Sequence, residues 1–185
     1  MGRPRKFNRT DVLEKAMPLF WKQGYASTGL QDLEKATGVN KSGLYSEFKD
    51  KEELFLASLR YYYEILGGRL LLSAEPLGWD NIENCLKVVT QPSAGGLKGC
   101  FGVSSMRELG QLSKEAHQIL AESRTDMKRQ FAKNIAAARA TAAAELLSEI
   151  VLTFFSGLSI EQNLNPSKAS VVRKIEDFMK IIRSA

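Results

Sequence analysis

Residues 39 to 51 hold the side chains with the clearest chemical potential. Lys41, Ser42, Gly43, Tyr45 and Ser46 fall on one side of a short helix, opposite an apolar seam of Val39, Leu44 and Phe48. Small polar side chains let a helix approach base edges, and a lysine or tyrosine beside them reaches phosphate. That is the chemistry of reading a DNA major groove. A second group lies at the N-terminus, where Arg3, Arg5 and Lys6 stand beside Gly2 and Pro4. A short basic arm of this kind suits an adjacent minor groove, where narrow A·T tracts concentrate negative potential.

Local signals predict the elements that must position these groups. Thr28 with Gln31 makes a capping box, opening a helix that carries Leu30, Leu33 and Ala36 on one face. Gly38 can take positive φ and end that helix, and Asn40 can cap the next. Asp50 with Glu53 opens a further helix. Two short amphipathic helices meeting at a glycine turn make a helix-turn-helix. An earlier helix is expected over 9–24, with an apolar stripe of Leu13, Ala16, Met17, Phe20 and Trp21. Pro18 lies inside it, at a cost of roughly 3 kcal/mol, so a local kink offset by packing is expected. Charge follows the same division. The chain is +5 overall, and residues 1–51 hold ten Lys and Arg against six Asp and Glu, leaving only +1 for the remainder. A basic excess concentrated on one third is the electrostatic footprint of a nucleic-acid binder.

These residues resemble the TetR family of bacterial transcriptional regulators. The likeness rests on Gly2-Arg-Pro-Arg5, Ala16 to Trp21, Gly24-Tyr25, Thr28 to Leu33, Ala36 to Val39, Lys41 to Tyr45 and Phe48 to Phe55. Phe101 to Leu109 resembles the start of a sensor-domain helix in the AcrR-like branch, and Phe155 to Ser159 its dimerisation helix. The resemblance implies an all-α fold of about nine helices. Residues 1–50 would be a three-helix DNA-binding domain, and residues 51–185 a ligand-sensing and dimerisation domain. It implies base-facing roles for Lys41, Ser42 and Gly43, phosphate contacts from Tyr45 and Lys51, and a backbone contact near Thr28. Gly43 departs from the threonine common at that position, which removes a side chain from base readout. The implied activity is that of a homodimeric repressor, bound to a near-palindromic double-stranded operator and released by a small molecule. A constitutive or activating regulator without an inducer is the alternative.

Beyond residue 50 the pattern reads as helices: about 51–72, 80–91, 102–111, one from Ser113, one ending near Asn163, and 167–183 behind Pro166. The stretch 113–163 has no proline, and a ~50-residue helix would be about 75 Å long. It must turn, and Ala137 to Ala143 is the expected place. Two cysteines, Cys85 and Cys100, make no disulfide framework, and no apolar run approaches the ~20 residues of a membrane span. A reducing cytoplasm is the expected compartment. No paired-carboxylate, metal-ligand, nucleotide-loop or Ser/His/Asp pattern points to an enzyme, a metal or a cofactor, and His117 is the only histidine.

Two apolar stripes are candidates for a dimer interface, with plain core as the competing role. They are Leu147, Val151, Phe155 and Leu158, and Ile175, Phe178, Met179 and Ile182. A largely apolar effector is expected among Tyr62, Trp79, Cys100, Phe101, Ser104, Ser105, Glu108, Met127 and Phe131, which mix large apolar groups with a few polar ones. Cys100 could alternatively serve as a redox or electrophile sensor. Deleting residues 1–6 should lower DNA affinity and flatten its salt dependence, because Arg3, Arg5 and Lys6 would release counterions on binding. An unchanged slope of log K against log salt would place the arm in solvent.

Overall fold

Asn8 opens the first helix: its side chain accepts from the Thr10 amide at 2.9 Å. From there the computed structural model, which describes residues 7–65, 68–139 and 143–185, is helical, with no strand among the described residues. The arm residues Arg3, Arg5 and Lys6 lie outside the described residues. The helices are α1 (Arg9–Gln23), α2 (Leu30–Thr37), α3 (Lys41–Glu47), α4 (Lys51–Ile65), α5 (Arg69–Leu72), α6 (Trp79–Val88), α7 (Phe101–Ser105), α8 (Lys114–Ala138), α9 (Ala144–Glu161) and α10 (Lys168–Ser184). A 3-10 turn, Met106–Gln111, extends α7.

Helix α1 runs through Pro18, whose ring packs against the loop at Gly95. Its stripe of Leu13, Ala16, Met17, Phe20 and Trp21 is buried. The start of α2 differs from expectation. Thr28 is buried and its hydroxyl donates back to the Gly24 carbonyl at 2.6 Å, so it is not the cap. Gly29 takes that place, and its N–H donates to the Asp32 carboxylate at 3.2 Å. Gly38, in the left-handed conformation, ends α2 as expected, and Asn40 caps α3 by accepting from the Gly43 amide at 2.9 Å. Leu33, Val39, Leu44 and Phe48 close the core of this unit.

The helix expected over 51–72 is two. Helix α4 ends at Ile65, and α5 starts behind Gly68 at φ +74, a conformation that a continuous helix cannot hold. The stretch expected to be one long helix turns between Ala138 and Ala144; residues 140–142, inside the expected turn of 137–143, lie outside the described residues. Helices α8 and α9 then run antiparallel, tied by Arg124 to Glu149 at 2.6 Å and Lys128 to Glu145 at 3.7 Å. Asn134 of α8 is fully buried and pins the neighbouring layer. It donates to the Leu72 carbonyl at 2.7 Å and accepts from the Gly78 amide at 2.9 Å and the Asn81 side chain at 3.0 Å.

The two apolar stripes proposed for a dimer surface are corrected by the packing. Leu147, Val151, Phe155, Leu158, Ile175, Met179 and Ile182 are buried inside the single chain. Phe178 is half-buried and stacks on Phe154 with centroids 3.8 Å apart. Helix α9 is apolar on two faces, so periodicity alone could not choose between them. Its outer face carries Leu146, Ile150, Gly157 and Ile160, continued by Leu164 and by Ile181 of α10, all exposed.

The N-terminal unit meets the rest of the chain through rings. Phe101 of α7 has no exposed surface and lies 5.9 Å from Trp21 in a stacked arrangement, 5.9 Å from Phe55 edge-on and 5.8 Å from Tyr62 edge-on. Phe101→Ala should therefore lower unfolding stability by about 3–5 kcal/mol, the range for a buried phenylalanine. Thermal denaturation should show a drop in Tm of roughly 6–20 °C, and a drop under ~2 °C would contradict the junction's role.

Candidate nucleic-acid interface

Helix α3 presents a polar face because its apolar residues are spent on the core. Leu44 is buried; Lys41, Ser42, Tyr45 and Ser46, at helical spacing on the other side, are exposed. The Lys41 ammonium lies 5.9 Å from the Tyr45 ring, so charge and phenol occupy one patch. The Ser46 hydroxyl turns back to donate to the Gly43 carbonyl at 2.8 Å. Two backbone amides at the start of α3 are already engaged: Lys41 N–H donates to the Glu34 carboxylate and Gly43 N–H to Asn40. Gly43 departs from its expected place on the open face. A Cβ there would stand 2.6 Å from a Val39 methyl and 3.3 Å from Phe7, so glycine is what lets the turn and the chain before α1 pack against the helix.

Lys51 has a different surrounding from the one expected. Its ammonium donates to the carbonyls of Tyr25 at 3.0 Å and Thr28 at 3.1 Å, and sits 4.5 Å from the Tyr25 ring. Two of its three N–H donors hold the α1–α2 turn, leaving one for a phosphate. Thr28 is buried beneath that turn. Arg9 was not anticipated as part of the site. It pairs with Glu47 at 2.9 Å and lies 4.3 Å from the Phe48 ring, tying the start of α1 to the end of α3. Partners 38 positions apart leave no local signal in the sequence.

A cavity of about 280 Å³ lies between α4, α5 and α8. Leu72, Ile119 and Met127 line it with Tyr63 and Cys100, and Arg60, Arg69, Glu122 and Asp126 add charge. Of the nine residues expected around an effector, only Cys100 and Met127 line this space. Tyr62 lines a neighbouring cavity of about 320 Å³ that reaches Trp21. Phe101 and Phe131 are core, and Trp79 packs against it. The Ser105 hydroxyl bonds its own helix at the Phe101 carbonyl, 2.9 Å away. Ser104 is half-buried on α7 and lines neither cavity. Glu108 points instead to the α1–α2 turn, where it accepts from the Tyr25 amide at 2.6 Å. The lining residues Ile119, Ser123, Asp126, Met127 and Gln130 recur at helical spacing on α8; that stripe, which is partly polar, was the available signal.

Burial pushes the Cys100 thiol up, and hydrogen bonds from Tyr62 and nearby amides offset this only in part. Cys85 is driven up further by the same cause. Neither thiol is a resting thiolate near neutral pH, which counts against an activated sulfur in this arrangement. Among the described residues no group of His, Cys, Asp and Glu could hold a metal, and no helix is long and apolar enough to cross a membrane.

The model for bacterial regulatory proteins of the tetR family matches residues 12–58, which span most of α1 through the first half of α4. The HTH-type transcriptional repressor ComR of Escherichia coli K12 is 51% identical over 63 residues, 34% of this chain and 30% of ComR. The HTH-type regulator YezE of Bacillus subtilis 168 is 28% identical over 114 residues, 58% of each protein. The matched stretches thus span less than two thirds of these relatives. Across nearly the full length, the chain superposes on the TetR-family regulator CifR, solved as a cysteine variant complexed with 26-base-pair operator DNA. That match has a TM-score of 0.82 and 26% identity, over 97% of this chain and 98% of CifR. The fold is also that of Escherichia coli NemR in its reduced form, with a TM-score of 0.76 at 17% identity over 91% of this chain and 95% of NemR. The similar proteins are transcriptional regulators rather than enzymes; residues 12–58 of this chain match the tetR family of bacterial regulatory proteins, and nearly its whole length has the fold of the TetR-family regulator CifR.

Proposed function

We propose that this protein is a DNA-binding transcriptional regulator of the cytoplasm, a homodimeric repressor that a small molecule releases from a near-palindromic operator. The observation that carries the reading is the exposed face of α3. Lys41, Ser42, Tyr45 and Ser46 stand clear of a core that the opposite side of the same helix completes. Recognition helices of a two-fold dimer must reach major grooves ~34 Å apart. The outer face of α9, with Leu146, Ile150, Gly157 and Ile160, is the surface that fits such pairing, because an exposed apolar stripe of this length favours burial against its own copy. The cavity between α4, α5 and α8 suits a small effector with an apolar body against Leu72, Ile119 and Met127 and a polar end toward Arg60 or Arg69.

The direct test is a gel shift with DNA from upstream of the protein's own coding region, at ~150 mM salt, where phosphate contacts remain salt-sensitive, against unrelated competitor DNA. A specific complex is expected, and equal binding to unrelated DNA would sink the reading. Lys41→Ala should weaken operator binding by about 1–3 kcal/mol, the range for one good base contact. Tyr45→Phe should lose less than Tyr45→Ala, because only the hydroxyl contact goes. Wild-type affinity for Lys41→Ala would show that another face docks.

Assembly can be tested by two neighbouring substitutions. Ile150→Glu places a charge on the outer face and should give a folded monomer by sedimentation. Val151→Glu buries a charge and should unfold the chain. An intact dimer for Ile150→Glu would remove α9 from the interface.

A further inference from the structure

The turn between α1 and α2 is gripped from opposite sides by two charged groups. On the carbonyl side stands Lys51, bonded to Tyr25 and Thr28. On the amide side stands Glu108, from the 3-10 turn after α7: Tyr25 N–H donates to its Oε2 at 2.6 Å and Ala26 N–H to its Oε1 at 3.4 Å. Gly24, at φ +85, completes the cradle, since a Cβ at that position would overlap the Glu108 carboxylate. A carboxylate accepting from backbone amides is roughly twice as strong as a neutral pair. Its short geometry makes it sensitive to small displacements of either partner.

The two grips have different origins. Lys51 is the first residue of α4 and belongs to the segment that follows α3 directly. Glu108 is carried by the segment that begins at Cys100, a wall of the cavity, and continues through Phe101 in the ring cluster. Helix α2 starts a few residues beyond the gripped turn and shares a core with α3 through Leu33 and Leu44. A change in the turn therefore moves α2 and α3 together.

We propose that Glu108 is a positioning residue for operator binding: its carboxylate fixes the α1–α2 turn, and through it the attitude of α3, so that the state of the cavity wall is read at the DNA. The proposal rests on the DNA-binding function above. Its sense is that of an equilibrium bias. With Glu108 bound to the turn, the arrangement of α3 that fits the operator is favoured; without it, that arrangement is one of several and apparent affinity falls by the fraction populated.

The test uses the full-length protein and the upstream DNA fragment that wild type binds. Glu108→Gln, which keeps shape but removes the charge, and Glu108→Ala should each lower operator affinity about tenfold. The slope of log K against log salt should not change, because no phosphate contact is removed. The amide resonances of Tyr25 and Ala26 should shift in 15N-labelled Glu108→Gln. A double-mutant cycle adds an independent readout. Gly24→Ala should cost more stability beside Glu108 than in the Glu108→Ala background, because the backbone strain is common to both and only the overlap is relieved. Wild-type operator affinity in both Glu108 variants would overturn the proposal, as would unmoved Tyr25 and Ala26 amides or a changed salt slope. Failure of wild type to bind the fragment overturns the DNA-binding function, and the proposal with it. Wild-type binding with unaffected variants overturns the proposal alone.

Discussion

The ring cluster around Phe101 is the constraint on which the rest of this structure depends. Trp21 from α1, Phe55 and Tyr62 from α4 and Phe101 from α7 meet within 6 Å of one another in pairs, with Phe20 edge-on and Tyr25 tilted against Phe55. Offset and edge-on rings gain energy only at specific separations and tilts, so this contact fixes orientation as well as burial. It makes the small helix-turn-helix unit, whose own core is modest, rigid with respect to the helices that carry the cavity. A unit of three short helices would hold its recognition helix loosely if it stood alone. Here α1 is clamped along its length by α4, and its far end meets α7.

The same junction is the physical link between cavity and DNA that the proposed function requires. Cys100 is at once the residue before Phe101 and a wall of the 280 Å³ space. Tyr62 is hydrogen-bonded to that thiol and packs on both Trp21 and Phe101. A ligand that displaces the wall must move a ring, and close-packed rings transmit displacement rather than absorb it. The requirement is that a ligand bind the two arrangements unequally; tight binding without that difference would change nothing.

How much of this was legible in the sequence follows from the range of the interactions. Caps and short helices are local, and Asn40, Gly38 and Ser113 behaved as their types suggest. Thr28 did not, because its hydroxyl found the Gly24 carbonyl and Gly29 with Asp32 could serve in its stead. Phe101 and Phe131 look like pocket residues by type, but size and apolarity describe core and pocket alike, and both became core. On α9 both faces are apolar, so periodicity could not tell the buried stripe of Val151 and Phe155 from the exposed one of Leu146 and Ile150. The contacts that define the site's geometry join residues far apart in the chain: Arg9 with Glu47, and Glu108 with Tyr25. No pattern of neighbours announces such pairs, which is why Glu108, expected around an effector, is found at the α1–α2 turn instead. The face of α3 was readable because its periodicity, its charge and its resemblance all pointed to one side.

The most direct measurement of the central claim is a hydroxyl-radical footprint of the protein on its own upstream DNA. The account predicts two protected patches on one face of the duplex, with centres about one helical turn, ~10 base pairs, or a multiple of it apart, and loss of both when Lys41 is replaced by alanine. A single patch, or protection spread evenly along the fragment, would contradict a dimer that reads successive major grooves with α3.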